Sequence, residues 1–198
     1  MTDSSRPGLG KPRRVGGDGE IEVFCADEQT VVPVDLDRWQ QLATHVLVAE
    51  GVRGFAELSL LFIGEADMAE LNEQHMGKQG PTDVLAFPID AGDYEVEPSP
   101  YRGGTGPDRS PVDLGDMPLL LGDVVVCPAV AQRQCSEHAG TLDDELALLV
   151  VHGLLHVLGH DHDEPENTAV MRARELEHLV AFHWHGPAPE GFRQEHAE

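Results

Sequence analysis

The stretch TLDDELALLVVHGLLHVLGHDH, residues 141–162, specifies the central helix of the fold. Thr141 and Asp144 form a T-x-x-D capping pattern, which predicts a helix start because their side chains can satisfy free backbone N–H groups. The residues that follow are apolar on nearly every face, so this helix is expected to be buried in the core. Gly159 predicts its end, because glycine readily adopts the left-handed conformation that closes a helix.

The segments around this helix predict a sheet with further helices. Apolar runs predict strands at residues 21–25, 57–63, 82–89 and 119–128. Helical spacing of apolar residues predicts helices at residues 35–49, 65–75, 129–138 and 165–182. Strands interspersed with helices predict an α+β fold with one mixed sheet and the histidine-bearing helix at its core.

The 198 residues predict a single domain with polar ends. Residues 1–19 are polar and rich in Gly, Pro and Arg, which predicts a disordered N-terminal tail. The domain is expected to span residues 20–185, with a mobile loop at 91–118 that is dense in Gly, Pro and Asp. Residues 186–198 read as a polar C-terminal tail, and we expect both tails to be dispensable for the fold.

Charge and cysteine content restrict the function classes. The net charge is −23, so a nucleic-acid partner would have to be held by a local basic cleft or by a metal. The three cysteines form no C-x-x-C pair, which favours a reduced, cytoplasmic protein. Cys127 ends an apolar strand and is expected to be a core residue rather than a nucleophile. No apolar run approaches membrane-spanning length, so no membrane partner is expected.

The histidines of the quoted stretch have the spacing of a metal site. His152 and His156 are four residues apart, so their imidazoles project from one face of the helix. A chain reversal at Gly159 can bring His162 to a third corner, whereas His160 could face the metal only if the helix continued. Three neutral imidazoles plus water are typical of an open, catalytic zinc site, here with one Zn²⁺ per chain.

Gly153 separates this site from the zinc peptidases that share its histidine spacing. Metzincins carry a glutamate after the first histidine, and that glutamate transfers a proton to the leaving amine. Gly153 has no side chain for this role, so amide hydrolysis is disfavoured. Phosphodiester cleavage depends mainly on neutralising charge on phosphate oxygens, so it remains compatible with the site.

Three stretches together resemble the YbeY family of metal-dependent endoribonucleases. HGLLHVLGHDH is similar to the family signature H-G-x-L-H-L-x-G-Y-D-H, and GKQGPTDVLAFP and LGDVVVCP are similar to two further family stretches. Order and spacing agree over residues 21–184. The resemblance implies a four-stranded mixed sheet and zinc held by His152, His156 and His162. It also implies action on single-stranded RNA, with no DNA substrate, in small-subunit (16S) rRNA maturation and ribosome quality control. The expected partners are the small ribosomal subunit and assembly factors.

Several residues remain candidates for supporting roles. Met76 occupies the position where many members of that family carry an arginine, so Lys78 and Arg53 are the candidate RNA contacts. Asp123 and Asp161 could each orient a ligand histidine, although a turn-capping role explains either residue equally well. No residue is assigned as the general base.

Two alternative functions stay open at this point. A metal-binding ribosome-assembly factor with little nuclease activity would fit Met76 and the acidic net charge. A metzincin-like peptidase has the histidine spacing in its favour, but it would lack the usual glutamate base.

Overall fold

The computed structural model describes residues 21–89, 118–160 and 164–194. The expected N-terminal tail, nearly all of the expected loop at 91–118, and Asp161 and His162 lie outside these ranges.

The sheet has four strands and is mixed, as the sequence and its resemblance predict. Strands β1, β2 and β4 run parallel, and β3 lies antiparallel to β4 at one edge of the order β1-β2-β4-β3. Their bounds are β1 (Ile21–Asp27), β2 (Ala56–Phe62), β3 (Val84–Pro88) and β4 (Leu119–Val126). The four predicted strands are confirmed, with ends that differ by one or two residues.

The described residues form five α-helices, whose bounds lie close to the predicted ones except that α3 ends four residues before the expected 138. They are α1 (Leu36–Ala49), α2 (Glu65–Met76), α3 (Pro128–Gln134), α4 (Leu142–Val157) and α5 (Pro165–His178). A short π-helical turn, Leu179–His183, follows α5 and occupies the end of the single helix expected at 165–182. The main hydrophobic cluster joins α1 and α4 to one sheet face, and a smaller cluster joins α2 and α3 to the other.

Helix α4 is the buried central helix that its sequence predicts. The Thr141 hydroxyl accepts a hydrogen bond from the Asp144 backbone N–H at 3.1 Å, which forms the predicted cap. At the other end Gly159 has φ +89°, and the His160 N–H donates to the Leu155 carbonyl at 2.9 Å. This closing pattern fixes the direction in which the chain leaves the helix.

The C-terminal segment differs from the expectation of a tail that begins at residue 186. The Phe192 ring lies 4.7 Å from the Trp184 ring, measured between centroids, and Phe192 packs against the main hydrophobic cluster. Gln194 donates a hydrogen bond to the Arg172 carbonyl at 2.7 Å. Residues 186–194 therefore belong to the packed structure, because two of their side chains find partners on the π-helical turn and α5.

Two smaller expectations concern the cysteines and the membrane. Cys127 is fully buried, and burial raises the pKa of its thiol, which fits the predicted core role. None of the helices in the described ranges is long and apolar enough to cross a membrane.

Candidate metal centre

The Nε2 atoms of His152 and His156 face each other. The two Nε2 atoms are 3.1 Å apart, and His152 is 8% exposed. Two nitrogens that bind one tetrahedral zinc at about 2.1 Å lie roughly 3.3 Å apart. The pair is therefore spaced as two ligands of one metal ion, in agreement with the helix-face argument from the sequence.

Glu175 of α5 fixes the tautomer of His152. One of its carboxylate oxygens lies 2.8 Å from His152 Nδ1, and its side chain is 1% exposed. A carboxylate accepts the Nδ1 proton, so the Nε2 lone pair is directed into the gap, and such a partner also raises the basicity of the ligand. Gln194 donates to the other carboxylate oxygen at 3.1 Å, which holds the carboxylate in place.

Sequence reasoning missed Glu175, although a signal was present. Met171, Glu175 and His178 are buried on one face of α5 at spacings of four and three residues. A carboxylate at a core-facing helical position requires a polar partner, because burying it alone is costly. That requirement could have identified Glu175 as a partner for a histidine on the neighbouring helix.

The described residues supply two of the three predicted metal ligands. His162 lies outside them, and within them no group of three or more metal-binding side chains converges. His160, the alternative third ligand, has its Nε2 atom 3.5 Å from Glu50 at the end of α1. Glu50 also accepts hydrogen bonds from Arg174 and His178 of α5. His160 thus contributes to a helix junction, and His162 stays the predicted third ligand.

The histidine pair lies in a cavity of about 770 Å³. Strand β3 lines it together with residues of α4 and α5 and the segment after α2. Among the described residues, Lys78 and Arg172 are the two Lys or Arg side chains that line the cavity, and both are exposed. Met76 also lines it and is 51% exposed. The described part of the site therefore combines an apolar wall and a pair of imidazoles with two cations and the carboxylates of Asp83 and Glu175.

Gly153 has no side chain that could act as a base, and packing also favours glycine at this position. A Cβ atom at this position would lie 2.6 Å from Val124 Cγ1 and 3.4 Å from Val84 Cγ2. Helix α4 therefore approaches the sheet so closely that a side chain at position 153 would displace Val124. Packing thus favours glycine at the position where a metzincin carries its glutamate base.

The other predicted site residues are distributed differently. Lys78 lines the cavity as expected, whereas Arg53 donates to the Val48 and Val52 carbonyls at 2.8 and 2.7 Å and does not line it. Asp123 neighbours Val124, which faces α4, so the alternation of a strand points Asp123 to the opposite sheet face. The structure does not bring Asp123 to the histidines, and Asp161 lies outside the described residues.

Asp83 is a buried carboxylate on the cavity wall. It accepts hydrogen bonds from the Val84 backbone N–H at 2.8 Å and from the Gln134 side chain. Its own carbonyl accepts from the Cys127 N–H at 2.7 Å. These bonds anchor the start of β3 beside the histidine pair, which is a structural role.

Comparison with known proteins identifies similar chains over most of this length. The family model described as Endoribonuclease YbeY matches residues 24–183. Endoribonuclease YbeY of Salinispora tropica is 43% identical over 75% of this chain and 88% of its own length. That of Acidothermus cellulolyticus is 44% identical over 76% and 85%. The solution structure of TM1509 from Thermotoga maritima aligns with a TM-score of 0.47 and 22% identity, covering 81% of this chain and 87% of its own. The sequence matches span the whole fold and not just the histidine motif.

Proposed function

Because the chain belongs to the YbeY endoribonuclease family, we propose that it is a zinc-dependent endoribonuclease that cleaves single-stranded RNA in small-subunit rRNA maturation. The same proposal includes a role in ribosome quality control, contact with the small ribosomal subunit and assembly factors, and a cytoplasmic location. RNA cleavage follows from the family; zinc, the ribosomal substrate and the location are the steps beyond it.

The observation that carries the zinc proposal is the pair of Nε2 atoms 3.1 Å apart in the cavity. His162 would complete the ligand set beyond Gly159. Zinc held there supplies Lewis-acid polarisation of a phosphoryl oxygen. Glu175 keeps the His152 ring oriented, and Gly153 lets α4 lie close to the sheet beside the ligands.

Charge in the cavity explains how an acidic protein can hold RNA. The chain carries a net charge of −23, but Lys78 and Arg172 both line the cavity that contains the histidines. Three neutral histidines would leave the +2 charge of zinc uncompensated by its ligands, so zinc would act with Lys78 and Arg172 against the Asp83 and Glu175 carboxylates of the same cavity. RNA is therefore expected to contact this cleft and little of the remaining surface.

One assay tests the proposal directly. Purified protein is incubated with single-stranded RNA, with duplex RNA and with casein, each with and without a chelator. We expect cleavage of single-stranded RNA alone, and its loss when metal is removed. Cleavage that persists in the chelator would contradict the metal requirement, and casein hydrolysis would favour the peptidase alternative.

Matched histidine variants test the ligand set. His156→Ala and His162→Ala should each lose most of the roughly one zinc per chain, measured by metal analysis of the folded protein. His160→Ala serves as the control and should keep its zinc, because His160 contacts Glu50 instead. Full occupancy in His162→Ala with loss in His160→Ala would assign the third corner to His160.

The exposed position of Met76 supports one second candidate, a ribosome-assembly factor that cuts little. Met76 lines the cavity. It occupies the position where many members of the resembled family carry an arginine. If the arginine contributes charge there, Met76→Arg should raise RNA affinity or cleavage, and Lys78→Ala should lower cleavage without changing stability. A wild-type protein that binds zinc and RNA but leaves the RNA intact would favour the assembly factor.

A further inference from the structure

Strand β3 forms a wall of the cavity that contains the histidine pair. The sheet order places it outside β4, so within residues 21–89, 118–160 and 164–194 no strand pairs with its other edge. Val84, Ala86 and Pro88 all line the cavity. An edge strand presents backbone N–H and C=O groups that can pair with an incoming molecule. This wall therefore offers main-chain hydrogen bonds to whatever enters the site.

The pairing register identifies the groups that face the cavity. The Cys127 N–H donates to the Asp83 carbonyl at 2.7 Å, and the Ile89 N–H donates to the Leu121 carbonyl at 3.1 Å. Because backbone direction alternates along an antiparallel strand, residues 83, 85, 87 and 89 bond to β4. The backbone groups of Val84, Ala86 and Pro88 consequently point away from β4.

One acceptor and one donor stand next to each other on this edge. The Val84 N–H already donates to the Asp83 side chain at 2.8 Å, and proline has no N–H to offer. This leaves the Ala86 N–H as the donor, with the Val84 carbonyl before it and the Ala86 and Pro88 carbonyls after it as acceptors. The Watson–Crick edge of every RNA base carries a donor beside an acceptor, an amino group beside a ring nitrogen in adenine and cytosine and a ring N–H beside a carbonyl in guanine and uracil, which is the complementary pattern.

The edge is close enough to the histidines for a bound base to matter. A Cβ atom at Gly153, which follows His152, would lie 3.4 Å from a methyl group of Val84. Lys78 and Arg172 line the same cavity and can contact the flanking phosphates. Proteins that recognise single-stranded RNA by sequence hydrogen-bond its unstacked bases on their Watson–Crick edges.

We propose that the outer edge of β3 is a nucleobase subsite, in which the Val84 carbonyl and the Ala86 N–H bind the Watson–Crick edge of one base beside the cleaved phosphate. The subsite rests on the proposed function, since it needs single-stranded RNA as the substrate. In this subsite main-chain atoms bind one base of the RNA, so no side chain of β3 is required for the contact.

The first test removes the donor and keeps the strand. Ala86→Pro deletes the N–H that faces the cavity, at an edge position where proline is tolerated. Ala86→Val is the matched control, since it adds bulk but keeps the N–H. Binding is measured by fluorescence with a single-stranded 2′-O-methyl oligonucleotide that cannot be cut through its 2′ position. We expect Ala86→Pro to bind on the order of three- to tenfold more weakly than Ala86→Val, because the two variants both change the side chain and only the proline removes the N–H.

The second test couples the protein to one base. Abasic positions are scanned through the oligonucleotide with wild type and with Ala86→Pro, and the losses are compared as a double-mutant cycle. If the subsite exists, there is one position at which the abasic change weakens RNA binding by wild type but not by Ala86→Pro. Losses that simply add at every position would overturn the subsite. It would also be overturned if the protein bound an extended peptide in a way that depends on Ala86 and did not bind RNA.

The remaining outcomes are also decisive. Thermal unfolding checks that Ala86→Pro folds; if it does not, the scan on wild type alone must still show one dominant position, and equal losses everywhere overturn the subsite. Wild-type protein that neither binds nor cuts RNA would refute the proposed function. RNA cleavage with unchanged affinity in folded Ala86→Pro would refute the subsite alone.

Discussion

At the scale of single residues, the contact between Glu175 and His152 couples two helices to the candidate metal centre. The carboxylate is buried, receives a hydrogen bond from Gln194, and faces Nδ1 of His152 at 2.8 Å. Its effect is to select one tautomer and one ring orientation before any metal binds. The residue acts through His152 and is a positioning residue.

Removal of this carboxylate should weaken metal binding more than folding. Glu175→Ala is expected to lower zinc affinity by about 10- to 100-fold, measured by competition with a chromophoric chelator. Glu175→Gln is the matched variant and should retain part of the affinity, because its amide oxygen can still accept the Nδ1 proton. Equal zinc affinity in Glu175→Ala and wild type would show that the carboxylate does not orient the ligand.

At the scale of secondary structure, α4 closely approaches the sheet at Gly153 and Val124. Replacing a helical glycine by alanine ordinarily stabilises a protein by up to about 1 kcal/mol. Here the new Cβ would lie 2.6 Å from Val124 Cγ1, so overpacking opposes that gain.

Gly153→Ala should therefore destabilise the protein, by about 1–3 kcal/mol in urea unfolding. Val124→Ala in the same chain should relieve the clash, so the double variant should be more stable than the two separate losses predict. The explanation fails if Gly153→Ala is stabilising or if the two changes are additive.

The start of α4 is tied to the C-terminal turn through Asp144. Its carboxylate accepts hydrogen bonds from His183 at 2.8 Å and from the Trp184 indole at 2.6 Å, and the Thr141 hydroxyl donates to its other oxygen. Burial favours the neutral acid, but the hydrogen bonds from Thr141, Trp184 and His183 outweigh it. The pKa of Asp144 consequently lies below its ordinary value of 3.8.

This shift predicts an acid-dependent loss of stability. Because the pKa of Asp144 is depressed in the folded protein, its carboxylate contributes stability that is present above pH 3.8. This stability is lost as the pH falls through the lower folded-state pKa. Between about pH 6 and about pH 2, Asp144→Asn should therefore lose less unfolding free energy than wild type. Asp143→Asn, at the exposed neighbouring carboxylate, should follow the wild-type curve in the same urea titrations. Parallel curves for Asp144→Asn and wild type would contradict the assignment.

At the scale of the whole molecule, the two chain ends should differ in their importance. Deletion of residues 186–198 removes the contact of Phe192 with Trp184 and the hydrogen bonds of Gln194. We expect this truncation to cost about 1–3 kcal/mol of unfolding free energy and to lower zinc affinity. Deletion of residues 195–198 alone, or of residues 1–19, should leave both quantities unchanged. Equal stability of all three truncated chains would contradict the packing of residues 186–194.

The charge distribution of the whole molecule predicts a shallow salt dependence. With two cations in the cavity, the slope of log affinity against log salt for single-stranded RNA should be about −1.4. Lys78→Ala and Arg172→Ala should each flatten the slope, whereas Arg53→Ala, away from the cavity, should not. A much steeper slope in wild type would reveal a second RNA-binding surface.

The sequence by itself determined the helices and strands and the pairing of His152 with His156. Apolar periodicity located all four strands, the Thr141 cap and Gly159 located both ends of α4, and the four-residue spacing placed His152 and His156 together. These features depend on residues near one another in the chain, so local propensity and helical geometry are sufficient to predict them.

Only the tertiary structure decided which distant groups meet the histidines. Glu175 is 23 residues from His152, and it reaches the site because α5 packs beside α4. Arg172 rather than Arg53 lines the cavity, and Asp123 lies on the opposite sheet face, because the packing of helices and the strand register set these directions. Gly153 likewise required the structure, since the 2.6 Å approach to Val124 depends on how closely a helix and a sheet pack. Such contacts join segments far apart in sequence, and no local pattern encodes them.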